Sequence, residues 1–282
     1  MQHKFLLQAS NSNQVQSTLL QECYMIKTKT SEGLEHRLHA LATQYETQDF
    51  IKDDPSWFMH QVVGKRNQEA IAFIASCLSY GSRQVFMPRI QYILDCSRGE
   101  PYQWVRTGRF ALDIPDDDNC FYRLYTNHMM YGLFQALQSM YEEHGDMESY
   151  IRSYAKKYDE MENIDALTAI EAICQYFQKH EITGIVPKNT NSCCKRVCMF
   201  LRWMVRKGSP VDIGIWSELI NQRTLIMPLD THVIQQAMQL GLRKSKSATM
   251  VAARRLTEEL ATFFPEDPLK ADFALFGYGV NL

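Results

Sequence analysis

Two residues in this chain stand at predicted helix starts and carry groups able to do covalent chemistry there. Asp230 falls in Ile226-Met227-Pro228-Leu229-Asp230-Thr231-His232-Val233, where an apolar, Pro-containing run turns into a helical pattern over 231–242. A carboxylate at that point either caps the helix by accepting bonds from its first N–H groups or faces a substrate. Lys195 falls in Asn191-Ser192-Cys193-Cys194-Lys195-Arg196-Val197, in the first turn of a helix predicted over 192–207 and capped by Asn191 or Ser192. The partial positive charge of a helix N-terminus favours the neutral form of a nearby amine. A neutral amine is a nucleophile able to form a Schiff base. A plain cap and a surface lysine are the alternatives at these positions.

Around Lys195 the charge is one-sided. Residues 184–256 hold twelve Lys and Arg against three acids (Asp212, Glu218 and Asp230), a net of +9 that leaves −11 for the rest of the chain. Between 183 and 211 lie Lys188, Lys195, Arg196, Arg202, Arg206 and Lys207 with no acid. Such a stretch is a candidate surface for a phosphate backbone, or a solvated helix face paired with acidic neighbours.

His232, two residues after Asp230, invites a metal reading. The two side chains diverge at a helix start and no third ligand is evident, so no metal is expected. The eight cysteines are scattered, most among apolar neighbours in helical patterns, and no C-x-x-C pair occurs. They read as buried reduced thiols rather than a disulfide framework or a cluster site.

The elements that must position these residues are helical. Apolar residues recur at three and four, and alternation is rare. Helices are expected over 34–47, 68–80, 85–96, 102–109, 126–144, 147–157, 164–178, 192–207, 212–220, 231–242, 247–264 and 267–277. An acidic loop is expected at 113–119. A chain of 282 residues can bury a sizeable core. No run approaches the roughly 18 apolar residues of a membrane span, and the N-terminus has no signal-peptide pattern. The expectation is an all-α, orthogonal array of many short helices, located in the cytoplasm.

Several segments together resemble a bacterial family of unassigned function. They are Arg202-Trp203-Met204-Val205-Arg206-Lys207, Pro228-Leu229-Asp230-Thr231-His232-Val233, Asp272-Phe273-Ala274-Leu275-Phe276-Gly277-Tyr278-Gly279, and upstream Phe73-Ile74-Ala75 with Tyr80-Gly81. The resemblance runs from about Leu34 to the end. That family in turn resembles a distant branch of the helix-hairpin-helix DNA glycosylases, the endonuclease III and 8-oxoguanine glycosylase superfamily. The resemblance implies two lobes with a cleft between them: 31–67 plus 227–282 forming one, 68–226 the other with the hairpin, and 1–30 poorly defined.

It also implies roles. Asp230 matches the catalytic aspartate and Lys195 best matches the Schiff-base lysine of a bifunctional glycosylase and AP lyase acting on an oxidised base in double-stranded DNA. Asp272 and Phe276, four residues apart, match the carboxylate and aromatic that grip the base in the archaeal 8-oxoguanine branch. A helix cap and a core phenylalanine are their plainer reading. Lys188, Arg196, Arg202 and Arg206 would hold phosphates, and Arg83 or Gln84 would fill the gap left by the flipped base.

This sequence departs from the superfamily pattern in three places. Ile185-Val186-Pro187-Lys188-Asn189-Thr190 replaces the Leu-Pro-Gly-Val-Gly of the hairpin, without the glycines that let backbone amides approach a phosphate. The interval from Lys195 to Asp230 is longer than in endonuclease III-like proteins. No four-cysteine loop follows, so no iron–sulfur cluster and no other cofactor is expected. A monomer is expected. Two other functions fit the same residues: a non-catalytic DNA-binding or damage-recognition protein of this fold, and a helical protein-interaction module whose Asp230 only caps.

Overall fold

The three- and four-residue apolar spacing becomes helix nearly throughout the protein, here a computed structural model describing residues 31–158 and 163–280. Segment 1–30 and Cys23 lie outside the described residues. Ten helices organise the rest: α1 (Ser31–Tyr45), α2 (Lys65–Leu78), α3 (Arg83–Ser97), α4 (Pro101–Arg106), α5 (Asn127–His144), α6 (Met147–Ala155), α7 (Ala166–Lys179), α8 (Lys195–Val205), α9 (Thr231–Gln239) and α10 (Met250–Ala261). Shorter turns are named by their residues. The protein is all-α, with one two-stranded antiparallel ribbon, β1 (Cys120–Tyr122) and β2 (Tyr125–Thr126), just after the acidic loop. Among the described residues, no helix is long and apolar enough to cross a membrane.

Helix starts follow the sequence's polar signals. Thr126, Asp146, Asp165, Asp230 and Thr249 each accept a bond from a first-turn N–H of α5, α6, α7, α9 and α10. At α8 the expectation fails. That helix begins at Lys195, not at residue 192, and Cys194 occupies the cap position in the left-handed region (φ 46°) with no side-chain cap bond. Residues 191–194 instead lie outside the helix, with Ser192 bridged to Thr249. The predicted helix 212–220 is also absent. There the N–H groups of Ile213 and Gly214 donate to Trp203 O, and that of Trp216 to Met204 O. The segment thereby closes the open carbonyl end of α8 and goes on as a series of turns, with Ser217 N–H donating to Gly214 O and Leu219 N–H to Trp216 O.

Helix α2 lies at the centre, buried from Glu69 to Leu78. A helix apolar on all sides belongs inside. It packs against α8, where Phe73 meets Phe200 edge-on at 5.3 Å and stacks on Phe177 of α7 at 5.1 Å. The two described ends of the chain meet: α1 packs on the π-helical turn Phe273–Gly277, which also touches α9. A Cβ on Gly277 would stand 2.6 Å from the Tyr45 ring, so glycine permits that approach. One continuous apolar core extends from Leu38 to Leu275.

Candidate active site

Three stretches of chain converge beside the N-terminus of α8. The buried run Leu225–Leu229 passes through the core, tied by Met227 N–H donating to Thr257 Oγ1 at 2.9 Å. It delivers Asp230 to the start of α9. The segment before α8 is pinned on two sides, since Cys193 N–H donates to Ala248 O at 3.1 Å and the Cys193 thiol reaches Leu229 O at 3.7 Å. These restraints set Lys195 opposite Asp230.

Lys195 Nζ lies 3.5 Å from Asp230 Oδ2. The other carboxylate oxygen, Oδ1, accepts from Val233 N–H at 2.8 Å. Asp230 therefore caps α9 with one oxygen and faces Lys195 with the other. Its side chain is 10% exposed and that of Lys195 35%, so the carboxylate is held and the amine is reachable. Both line a cavity of about 960 Å³, at the upper end of the size of ligand pockets.

The same cavity collects further predicted residues. Arg83, Gln84, Arg196, Arg202, Asp272 and Phe276 all line it. Asp272 is buried, and the Arg202 guanidinium donates to its Oδ2. Burial pushes the Asp272 carboxyl up to about 6, with the Arg202 charge opposing the rise. Phe276, half-buried, stands with the His232 ring edge-on at 6.1 Å and the Arg83 guanidinium 5.4 Å from its centre. Asp272 directly precedes the π-helical turn that carries Phe276, and a widened turn of this kind often marks a functional position.

Two of the arginines expected to contact phosphate, Arg202 and Arg206, are not at the surface where a phosphate could meet them. Arg202 and Arg206 are buried inside a network of carboxylates. Arg202 Nε donates to Asp212 at 3.2 Å. Arg206 binds Glu46 at 2.8 Å and Asp267 at 2.6 Å, and also Asp212. A buried guanidinium must be paired; Asp212 lies nearby in the chain, while Glu46, Asp267 and Asp272 come from distant parts of it. Arg196 donates to Cys77 O at 2.8 Å, to Gly184 O at 3.3 Å and to the Tyr125 hydroxyl, so it ties the β-ribbon to the central helix. Lys188 is exposed and does not line the cavity. Arg83 Nη2 donates to Asp54 at 3.3 Å, while Gln84 is exposed at the rim.

Asp54 was not expected at the site. It is buried, lines the cavity, and accepts from Ser56 N–H at 3.0 Å as well as from Arg83. Its sequence signal is Asp directly before Pro55, a helix-start pattern. His232 also lines the cavity, with Nδ1 3.0 Å from Gly279 O. Among the described residues, no three His, Cys, Asp or Glu side chains come together as metal ligands. The seven described cysteines are free thiols, five of them buried, with Cys96 half-buried and Cys120 exposed.

Residues 54–281 match the model of a family described as "Protein of unknown function (DUF2400)", and the chain belongs to that family. No curated protein and no solved structure matches it.

Proposed function

For this member of the DUF2400 family, we propose a base-excision glycosylase with AP-lyase activity, acting on an oxidised base in double-stranded DNA. The observation that carries the proposal is the pair Lys195–Asp230, an amine and a carboxylate 3.5 Å apart in one large cavity. Such a pair supplies a nucleophile with its base and charge partner.

A damaged nucleotide must leave the stack before its glycosidic bond can be cut, and an extruded base needs a pocket. In this reading the base enters between Phe276, which offers a π face, and Asp272, which offers a carboxyl to its edge. Asp230 accepts the proton released from the Lys195 ammonium and faces the positive charge that develops at the anomeric carbon. Lys195 Nζ forms a bond to that carbon as the C–N bond to the base breaks, and the base departs with the electron pair and is protonated. Opening of the sugar ring gives a protonated Schiff base. Loss of a C2′ proton then drives departure of the 3′ phosphate by β-elimination.

The superfamily arrangement follows as part of the proposal: two lobes, one built from both chain ends, and a degenerate hairpin formed by α7, the loop 180–194 and α8. So do a monomeric state and a place in the cytoplasm, where the thiols stay reduced.

The test is strand cleavage on duplexes carrying a single abasic site or a single 8-oxoguanine. The proposal expects nicking with a β-elimination product at the 3′ side, absent in Lys195→Gln. Tight duplex binding without nicking on any oxidised base would instead indicate a damage-recognition protein.

A further inference from the structure

Three backbone amides of the segment before Lys195 are already engaged within the chain. Asn191 N–H donates to Asn189 Oδ1 at 3.0 Å, Cys193 N–H to Ala248 O at 3.1 Å, and Cys194 N–H to Ser192 Oγ at 3.4 Å. The Asn191 bond is a local turn at the surface, while that of Cys193 ties the segment to the residues before α10. Arg196, Arg202 and Arg206 are also engaged internally, which leaves exposed lysines to carry positive charge at the cavity rim.

The segment bridged to Ser192 supplies such lysines. Ser192 bridges Thr249, and Ala248 lines the cavity, so the loop Arg243-Lys244-Ser245-Lys246-Ser247 leads directly to the rim beside Lys195. Arg243 shapes this loop from within: Nε donates to Ser245 O at 2.7 Å and Nη2 to Ser247 O at 2.5 Å. Ser247 N–H adds a bond to Ser245 Oγ at 3.1 Å. Lys244 and Lys246 are exposed, as is Lys188 on the loop that leads into Lys195, next to the cavity-lining Pro187. Among the described residues, none of these three lysines forms an ion pair, whereas Lys52, Lys65 and Lys207 each do. No acid occurs between Asp230 and Glu258 to neutralise the loop.

We propose that Lys244 and Lys246, with Lys188, form the phosphate-binding surface that seats duplex DNA over the Lys195 cavity. Ammonium groups on an exposed, folded loop attract backbone phosphates without reading sequence, and each contact releases counterions. The loop then does the work that backbone amides of a glycine hairpin would do. The surface deepens the glycosylase reading and rests on it for the identity of its nucleic acid.

The test measures equilibrium binding of the full chain to a duplex holding one tetrahydrofuran abasic analogue, from about 50 to about 200 mM salt. For Lys244→Ala/Lys246→Ala the slope of log affinity against log salt should become shallower by about two, roughly 0.9 per lost phosphate contact. Affinity at the lowest salt should fall by on the order of tenfold, while Lys207→Ala/Arg223→Ala changes neither value. Reductive trapping on a cleavable abasic duplex at saturating DNA runs in parallel and reports the glycosylase reading separately. A wild-type slope in the lysine variant overturns the surface, even where trapping succeeds. A shallower slope with no trapped adduct supports the surface and removes the glycosylase. Failure of the wild-type protein to bind duplex DNA at any salt overturns both.

Discussion

Lys195 Nζ and Asp230 Oδ2 stand 3.5 Å apart, although the residues are 35 positions apart in the chain. Asp230 Oδ1 meanwhile closes the first turn of α9 through Val233. Asparagine caps as well as aspartate, so Asp230→Asn keeps the helix start and removes only the charge that faces the amine. We expect its melting temperature to match the wild type while strand cleavage falls by roughly 10²- to 10⁴-fold, the contribution of a positioned acid–base group. Asp230→Ala should lose the cap as well, at about 1 kcal/mol in denaturant unfolding.

Arg206→Ala tests the correction at the buried network. Removing one member of a buried ion pair leaves the other uncompensated: Glu46 and Asp267 lose their cation, and Asp212 keeps only Arg202. The expected cost is about 3–5 kcal/mol, read from urea unfolding. A variant that unfolds like the wild type but binds DNA with a shallower salt slope would restore the phosphate role.

Much of the candidate site was legible in the sequence, and the rest was not, for reasons that differ by residue. Local signals mark the helix start at Asp230 and place Lys195 in a first turn, though not at the right residue, and the apolar run before Asp230 forces it to emerge at a surface of the core. Arg202 and Arg206 looked like an exposed basic face because charge counts along the chain ignore partners such as Glu46 and Asp272, which arrive from far away in sequence. The helix expected at 212–220 had suitable periodicity, but the carbonyls at the end of α8 captured its amides. Ser192 scored as a cap by type. Its segment was drawn into a bridge with Thr249, a long-range pairing that no window of adjacent residues contains.

Glu69 gives a pH signature independent of the proposed chemistry. Its carboxyl is buried in α2, accepts from the N–H groups of Met147 at 2.8 Å and Glu148 at 3.3 Å, and is pushed up by burial to about 8 from 4.5. The folded state thus holds a proton that the unfolded chain releases earlier. The associated stability is present in full below about pH 4.5 and is lost as the pH rises through about 8. Unfolding free energy from this group should decline across that window, and the decline should flatten in Glu69→Gln. A slope that survives the substitution would assign the effect to another group.

Phe276→Ala separates the two halves of the proposed reaction. Stacking of a base on an aromatic ring is worth about 1–3 kcal/mol. Release of an oxidised base should slow by roughly 5- to 150-fold, while nicking of a pre-formed abasic site, which has no base to grip, stays near wild type. Equal loss on both substrates would remove Phe276 from the base pocket.

The most direct measurement is borohydride trapping with mass-spectrometric location of the adduct. The protein is incubated with duplex DNA containing an abasic site or 8-oxoguanine, reduced, digested and mapped. The account predicts a covalent sugar adduct on Lys195, lost in Lys195→Gln and formed more slowly in Asp230→Asn. An adduct on a different lysine, or bound DNA with no adduct, would contradict it.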